Sequence, residues 1–354
     1  MKKLILLFTC ILFISGCYDY KELKDIDIIT GVGVDYEDGK YKVTLEVLKA
    51  TAKDNKEEQN TILIDASDEV FSKAFESTYT KFDKQPYFSQ LKLLLISEDV
   101  AKDPGIQELT DFILRTSRIG NCFNVAIAKG DSAYDMFAAK QENATVSTTI
   151  VNLLENSSSN SILDSDNKFN ILVSKMLQEG MDIYLPSVTL NEDKFESSNY
   201  AVFDDFTMAS FIDLKYSTVF NLLTSTTSNN IYINDGINAI DISKSNCKYK
   251  VSKDRVNITL DIEGNIKSLE EKYSLKDQST FKEFNKIFEK KLFLEVNELI
   301  NILKENDSDV LGIENKYYKY QHKYYYDEVE NYIDYEIDVN VNVNKFGILF
   351  EVIS

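Results

Sequence analysis

The chain has 354 residues, with 39 basic against 58 acidic side chains, a single histidine and a formal net charge of −19. An acid excess of that size repels a phosphate backbone, which excludes nucleic acid as a partner, and it disfavours attraction to an anionic lipid surface except through local patches. One histidine and four cysteines, with no CxxC or HExxH spacing, argue against a zinc site.

The chain opens with Met1-Lys2-Lys3, an apolar run from Leu4 to Ile14, and Ser15-Gly16-Cys17. This is the charged-then-apolar layout of a secretory signal. As a helix the eleven-residue run reaches only about 16 Å, well short of a ~30 Å hydrocarbon core, so residues 1–16 are expected to serve for export and not as a membrane span. Ile14-Ser15-Gly16-Cys17 resembles the bacterial lipobox, with Ile14 where Leu is usual. That resemblance implies acylation of Cys17, the alternative being an ordinary signal cut near Gly16. Two acyl chains would give lasting attachment, since each buried methylene contributes about 0.8 kcal/mol and one chain holds only marginally. No later stretch approaches eighteen uninterrupted apolar residues. Removing the signal leaves 338 residues, enough for two or three domains, and a mature charge of −21 from 37 basic and 58 acidic residues.

In chain order, Ile26, Ile28, Val32 and Val34 alternate at period two, Glu37-Asp38-Gly39 reads as a turn, and Val43, Leu45 and Val47 resume the alternation. This predicts a β-hairpin. A polar connection, Thr51 to Asn60, leads to a short strand at Thr61 to Asp65 and a helix carrying Phe71, Phe75, Tyr79 and Phe82 behind a Ser67 cap. The apolar runs Leu91 to Ile96 and Phe123 to Ala128 flank a helical Ile106 to Arg115, predicting a parallel βαβ unit. Asp131 is placed as the cap of a helix reaching Ala139, and Asn156 to Asn160 as a loop. A helix at Lys168 to Gln178 and a strand at Ile183 to Leu190 precede a domain boundary expected at Asn191 to Asn199.

Beyond it, Tyr200 to Phe203 and Thr207 to Ile212 flank Asp204-Asp205 as a second hairpin, followed by a helix near Lys215 to Leu223 and a loop at Thr224 to Asn230. Val256, Ile258, Leu260 and Ile262 alternate with polar residues before a turn expected at Gly264-Asn265. A long amphipathic helix is predicted from Thr280 to Lys304, striped by Phe284, Ile287, Phe288, Leu292, Val296, Leu299 and Leu303. Odd positions from Ile333 to Val343 are apolar and even ones polar, the pattern of an antiparallel sheet with one dry face. The expected fold is therefore α+β, with antiparallel sheets backed by helices.

The candidate sites are few. Residues Tyr317 to Tyr335 hold eight of the chain's 21 tyrosines, readable as a partner surface or as packing over the terminal sheet, with packing preferred. His322 among them has no nearby carboxylate in sequence and reads as a packing or surface residue. Asp204 and Asp205 are adjacent strand residues pointing to opposite faces, which suits a turn better than a pair of glycosidase acids. Gly31-Val32-Gly33 lacks the third glycine and following helix of a dinucleotide site and reads as close strand packing. Asp309-Val310-Leu311-Gly312 reads as a helix entry whose carboxylate meets free N–H groups. With Cys10 lost and Cys17 acylated, Cys122 and Cys247 are expected as two buried free thiols, a disulfide between them being the alternative.

Gly16-Cys17-Tyr18-Asp19-Tyr20-Lys21-Glu22-Leu23, followed by Gly31-Val32-Gly33-Val34-Asp35, resembles the opening of the Ger(x)C family of spore germination lipoproteins, with Tyr18 where that family usually has Trp. The likeness continues through Leu95 to Ala101, Asp111 to Arg115, Val125 to Gly130, Leu185-Pro186, Ala201 to Phe203 and Asp309 to Gly312. The resemblance implies three domains, placed at 17–195, 196–240 and 241–354, the last an antiparallel sheet with a long amphipathic helix. It further implies a noncatalytic, cofactor-free C subunit of a nutrient germinant receptor, anchored through Cys17 to the outer face of the spore inner membrane and acting with integral-membrane A and B subunits. Tyr18, Asp19, Glu22, Asp309 and Gly312 are the residues expected to touch those partners. A solute-binding lipoprotein of an importer shares the anchor but predicts two similar lobes with parallel sheets; the alternating C-terminal third speaks against it.

Overall fold

The computed structural model describes residues 25–49, 60–139, 144–159, 167–224, 231–268, 270, 278–321 and 334–346. Cys17, Tyr18, Asp19, Glu22, His322, Tyr324, Tyr325, Tyr326 and Tyr332 lie outside them, as do the connection at 51–59 and the loop at 225–230.

Strands β1 (Ile26–Glu37) and β2 (Lys40–Lys49) form the expected hairpin, turning on Asp38 and Gly39, both at positive φ. Strand β3 (Asn60–Asp68) adds to β2. Ser67 lies inside β3 and does not cap helix α1 (Phe71–Thr78); the Phe71 N–H is taken by Glu108 from a distant helix, at 3.0 Å. Strand β4 (Gln85–Tyr87) lies beside the start of β1. Then come β5 (Leu93–Ser97), α2 (Glu98–Lys102), α3 (Gln107–Arg115) and β6 (Asn124–Ala128). β5 and β6 pair in parallel, as the two apolar runs predicted. Helix α4 (Ala133–Ala138) is capped by Ser132, not Asp131, because the Ser132 hydroxyl receives the Asp135 N–H. Helix α5 (Val146–Ser159) takes in the Asn156 to Ser159 run expected as loop; one of its polar side chains, Ser157, finds a partner in Ser197 on the sheet, at 2.5 Å.

Helix α6 (Phe169–Met176) leads to β7 (Tyr184–Asn191), β8 (Lys194–Asp204) and β9 (Thr207–Ile212). The sheet runs β3-β2-β1-β5-β6-β7-β8-β9, with β4 beside β1. Residues 191–199 form the β7–β8 hairpin, so the sheet continues across the expected boundary. Residues 196–240 are shared between two sheets, β8 and β9 in this one and β10 in the next. In β5, Leu94 and Ile96 face α1, α2, α3 and α6, whereas Leu93 and Leu95 face α4, α5 and α7 (Ser217–Thr224). Helices on both faces explain why the parallel strands are apolar throughout.

The second sheet has the order β10 (Ile231–Asp235), β11 (Asn238–Val251), β12 (Arg255–Ser268), β13 (Asp334–Phe346). Gly264 and Asn265 do not turn the chain. They sit in β12 at an irregularity in the ladder, where a Cβ on Gly264 would come within 2.7 Å of the Asp241 carbonyl oxygen. The first three strands are antiparallel as expected, but β13 runs parallel to β12. The reason is the connection: helices α8 (Gln278–Glu305) and α9 (Ile313–Tyr320) lie between the two strands, and such a crossover returns the chain to the end where β12 began. The α8 stripe of Phe284, Phe288, Leu292, Val296, Leu299 and Leu303 is buried, within a core that also includes α7 and one face of the large sheet. Glu289 and Asn285 on α8 accept the Val341 and Val343 N–H groups, each at 3.3 Å, and so cover the β13 edge. No helix among the described residues is long and apolar enough to cross a membrane.

Candidate functional site: a cleft between the two sheets

The Asp309 to Gly312 turn links α8 to α9. Gly312 adopts φ +62°, and the Asp309 carboxylate accepts the Ile313 and Glu314 N–H groups at 2.9 and 2.6 Å, closing the free end of α9 as expected of a helix entry. The turn is also docked on the large sheet. The Asp309 N–H donates to the Asp182 carboxylate at 2.6 Å, and the other Asp182 oxygen accepts the Asp205 N–H at 2.9 Å. The Ser308 hydroxyl donates to the Phe203 carbonyl at 2.5 Å, and the Asn315 backbone and side-chain amides donate to the Gly180 and Glu179 carbonyls, both at 2.7 Å. Gly180, at φ +64°, lets the two lobes meet, since a Cβ there would lie 2.8 Å from that of Glu314.

Beside this seam lies a cleft of about 800 Å³. Ile183, Phe206, Ile300, Leu303 and Leu311 give it apolar walls, while seven carboxylates and one lysine, Lys304, also line it. The Lys304 ammonium stands 4.2 Å from the centre of the Tyr335 ring. Burial pushes the Asp309 carboxyl up to about 7, against the two amide hydrogen bonds that favour its charged form, and burial raises Asp182 in the same way. Burial lowers Lys304 and raises Tyr335. Pockets that gather perturbed groups in this way are the usual places for binding or chemistry.

Of the residues expected to touch partners, Gly312 is buried and the Asp309 carboxylate is engaged within its own chain; what the cleft exposes is their neighbours. Asp204 and Asp205 form the β8–β9 turn, Asp205 at positive φ. Tyr317 is buried with its hydroxyl donating to the Arg255 carbonyl, Tyr318 and Tyr320 are exposed, and Tyr335 is half-buried. Cys122 and Cys247 are free thiols, Cys122 exposed and not buried, Cys247 half-buried. The sequence reading missed Gly180, Asp182, Lys304 and Asp307. A glycine two residues ahead of an aspartate at the mouth of a strand was the one local sign of the first two.

The Gly31-Val32-Gly33-Val34-Asp35 stretch has a packing role, as read. A Cβ on Gly31 would lie 2.2 Å from the Ser147 hydroxyl and 2.7 Å from the Phe137 ring, so α4 and α5 pack directly on β1. Two buried carboxylates receive their free ends. Asp35 accepts the Ala133 and Tyr134 N–H groups at 2.6 and 3.0 Å. Glu46 accepts those of Val146 and Ser147 at 2.6 and 3.2 Å, together with the Ser147 and Thr30 hydroxyls.

Comparison with known proteins places this architecture. Residues 19–190 match the family described as "Spore germination protein N-terminal domain", and residues 198–347 match "Spore germination B3/ GerAC like, C-terminal". The chain belongs to this family of spore germination proteins. It is 23% identical to spore germination protein GerQC of Bacillus cereus over 364 aligned positions, covering 98% of this chain and 99% of that one. Spore germination protein A3 of Bacillus subtilis (strain 168) is 26% identical over 160 positions, 44% of this chain and 42% of that one. The crystal structure of the GerBC protein superposes with a TM-score of 0.55 at 16% identity, covering 88% of this chain and 96% of that one, which establishes a shared fold.

Proposed function

We propose that the chain is the lipid-anchored, noncatalytic C-type subunit of a spore nutrient germinant receptor, assembling with integral-membrane A and B subunits at the outer face of the spore inner membrane. The observation that carries this reading is the end-to-end similarity to GerQC, with family matches that begin at residue 19, two residues after Cys17. A signal too short to span a bilayer, ending in a lipobox-like Ile14 to Cys17, supplies the anchor. Confinement to a thin layer at the membrane raises the effective concentration for weak contacts, so a body without an active site acts by holding or coupling its neighbours. An importer's solute-binding protein would have two like lobes, whereas here a nine-stranded sheet meets a four-stranded one.

Replacing Cys17 by serine tests the reading. The variant is expected to leave the spore membrane fraction and to slow nutrient-triggered germination by about tenfold or more, the scale of losing ~1.4 kcal/mol or more of attachment. Full membrane retention with unaltered germination overturns it.

A further inference from the structure

We propose that the cleft between the two sheets is the docking site for a basic segment of an integral-membrane partner. This deepens the lipid-anchored reading and rests on it. β1, β5, β6 and β7 are mutually parallel in sequence, so the starts of β1 and β7 and the β8–β9 turn share one end of the large sheet. The cleft opens beside Asp182, Asp204 and Asp205 at that end. The ladder sets Gly31 level with Leu93 and Asn124, and Ile127 level with Ser187. Asp182 therefore stands roughly 10 Å along the strand direction from the level of Ile26, and three inter-strand steps of about 4.8 Å to the side. Eight residues, and so nine Cα–Cα steps, separate Cys17 from Ile26, a reach of at most ~32 Å. An acylated Cys17 thus keeps this end of the sheet, and the cleft that lies at it, within a few tens of ångströms of the bilayer.

The occupant follows from charge. With Asp309 set aside as engaged within its own chain, the six other lining carboxylates against one lysine repel an anionic lipid surface, so the cleft does not seat on headgroups. A chain bearing Lys or Arg complements the rim and gains from desolvation over the apolar walls. Leu177, 80% exposed at the edge of the cleft, offers an apolar contact next to the acids.

The test uses the full acylated chain in phosphatidylcholine nanodiscs and a fluorescein-labelled octalysine peptide, followed by anisotropy. Asp205 and Asp307 both sit at positive φ, which asparagine tolerates, so the double variant Asp205→Asn/Asp307→Asn removes two cleft charges with the turns preserved. Glu192→Asn/Asp193→Asn removes two charges from a positive-φ turn at the opposite end of the same sheet. The cleft pair is expected to weaken peptide binding by about tenfold and the control pair by less than about twofold. Equal losses from both pairs, no binding by the parent chain, or complete displacement by millimolar free lysine, which would mark a small-solute pocket, each overturn the proposal. None of these results bears on the Cys17→Ser outcome, so the two readings fail separately.

Discussion

At the scale of single residues, this protein repeatedly uses a carboxylate from one element to close the open end of a helix elsewhere. Glu46 shows how much depends on one such group, for its two oxygens accept from two backbone amides and two hydroxyls. Glu46→Gln would place an amide NH₂ among those donors, leaving donors facing each other in a buried site. The expected loss is about 2–4 kcal/mol of unfolding free energy, read from denaturant titration. Asp309 gives a pH signature. Its folded pKa, about 7, lies above the 3.8 of an ordinary aspartate, so folding favours the protonated form. The stability it contributes is fully present below about pH 4 and is lost as pH rises through 7. Asp309→Asn removes that slope. Thermal unfolding from pH 4 to 8 should show the variant gaining on the parent by about 4 kcal/mol across the window, with no change above pH 8.

At the scale of elements, hydrophobic period carried most of the assignment. The β1–β2 hairpin, the parallel β5–β6 pair and the α8 stripe follow from local alternation or helical spacing, because those patterns record which face is buried. Caps were less legible. Ser67 and Asp131 have the right chemistry, but Glu108 and Ser132 have the right geometry, and Glu108 is 37 residues from the helix that it closes. The Asn156 to Ser159 run shows the same limit: polar residues read as loop become helix once a strand offers partners. The approach of α4 and α5 to β1 depends on Gly31 having no side chain. Gly31→Ala forces Ser147 and Phe137 aside, with an expected loss of about 1–3 kcal/mol, measured as a shift in denaturant midpoint at constant slope.

For the whole molecule, the decisive fact is that the two sheets share a core. Buried residues of α4, α5, α7, β5 and β6 form one cluster with those of β12, β13 and α8, so neither lobe exposes an independent apolar face. Unfolding should therefore appear as one calorimetric transition, with van't Hoff and calorimetric enthalpies in agreement; two resolved transitions would show the lobes to be independent. The two family matches part between residues 190 and 198, inside the β7–β8 hairpin, while the sheet passes through without a break. An evident change of composition at 191–199 thus coincides with a family limit but not with an edge of the fold.

By itself the sequence determined most of the strands and helices, the α+β class and the family likeness, since each is written in patterns a few residues long or in the order of short motifs. Tertiary structure alone decided the direction of β13, the continuation of the large sheet past residue 195 and the meeting of Asp182 with Asp309 across 127 residues. Periodicity tells a segment which side is dry. It carries no information about which distant segment will cover that side, and the cleft is made where two such segments meet.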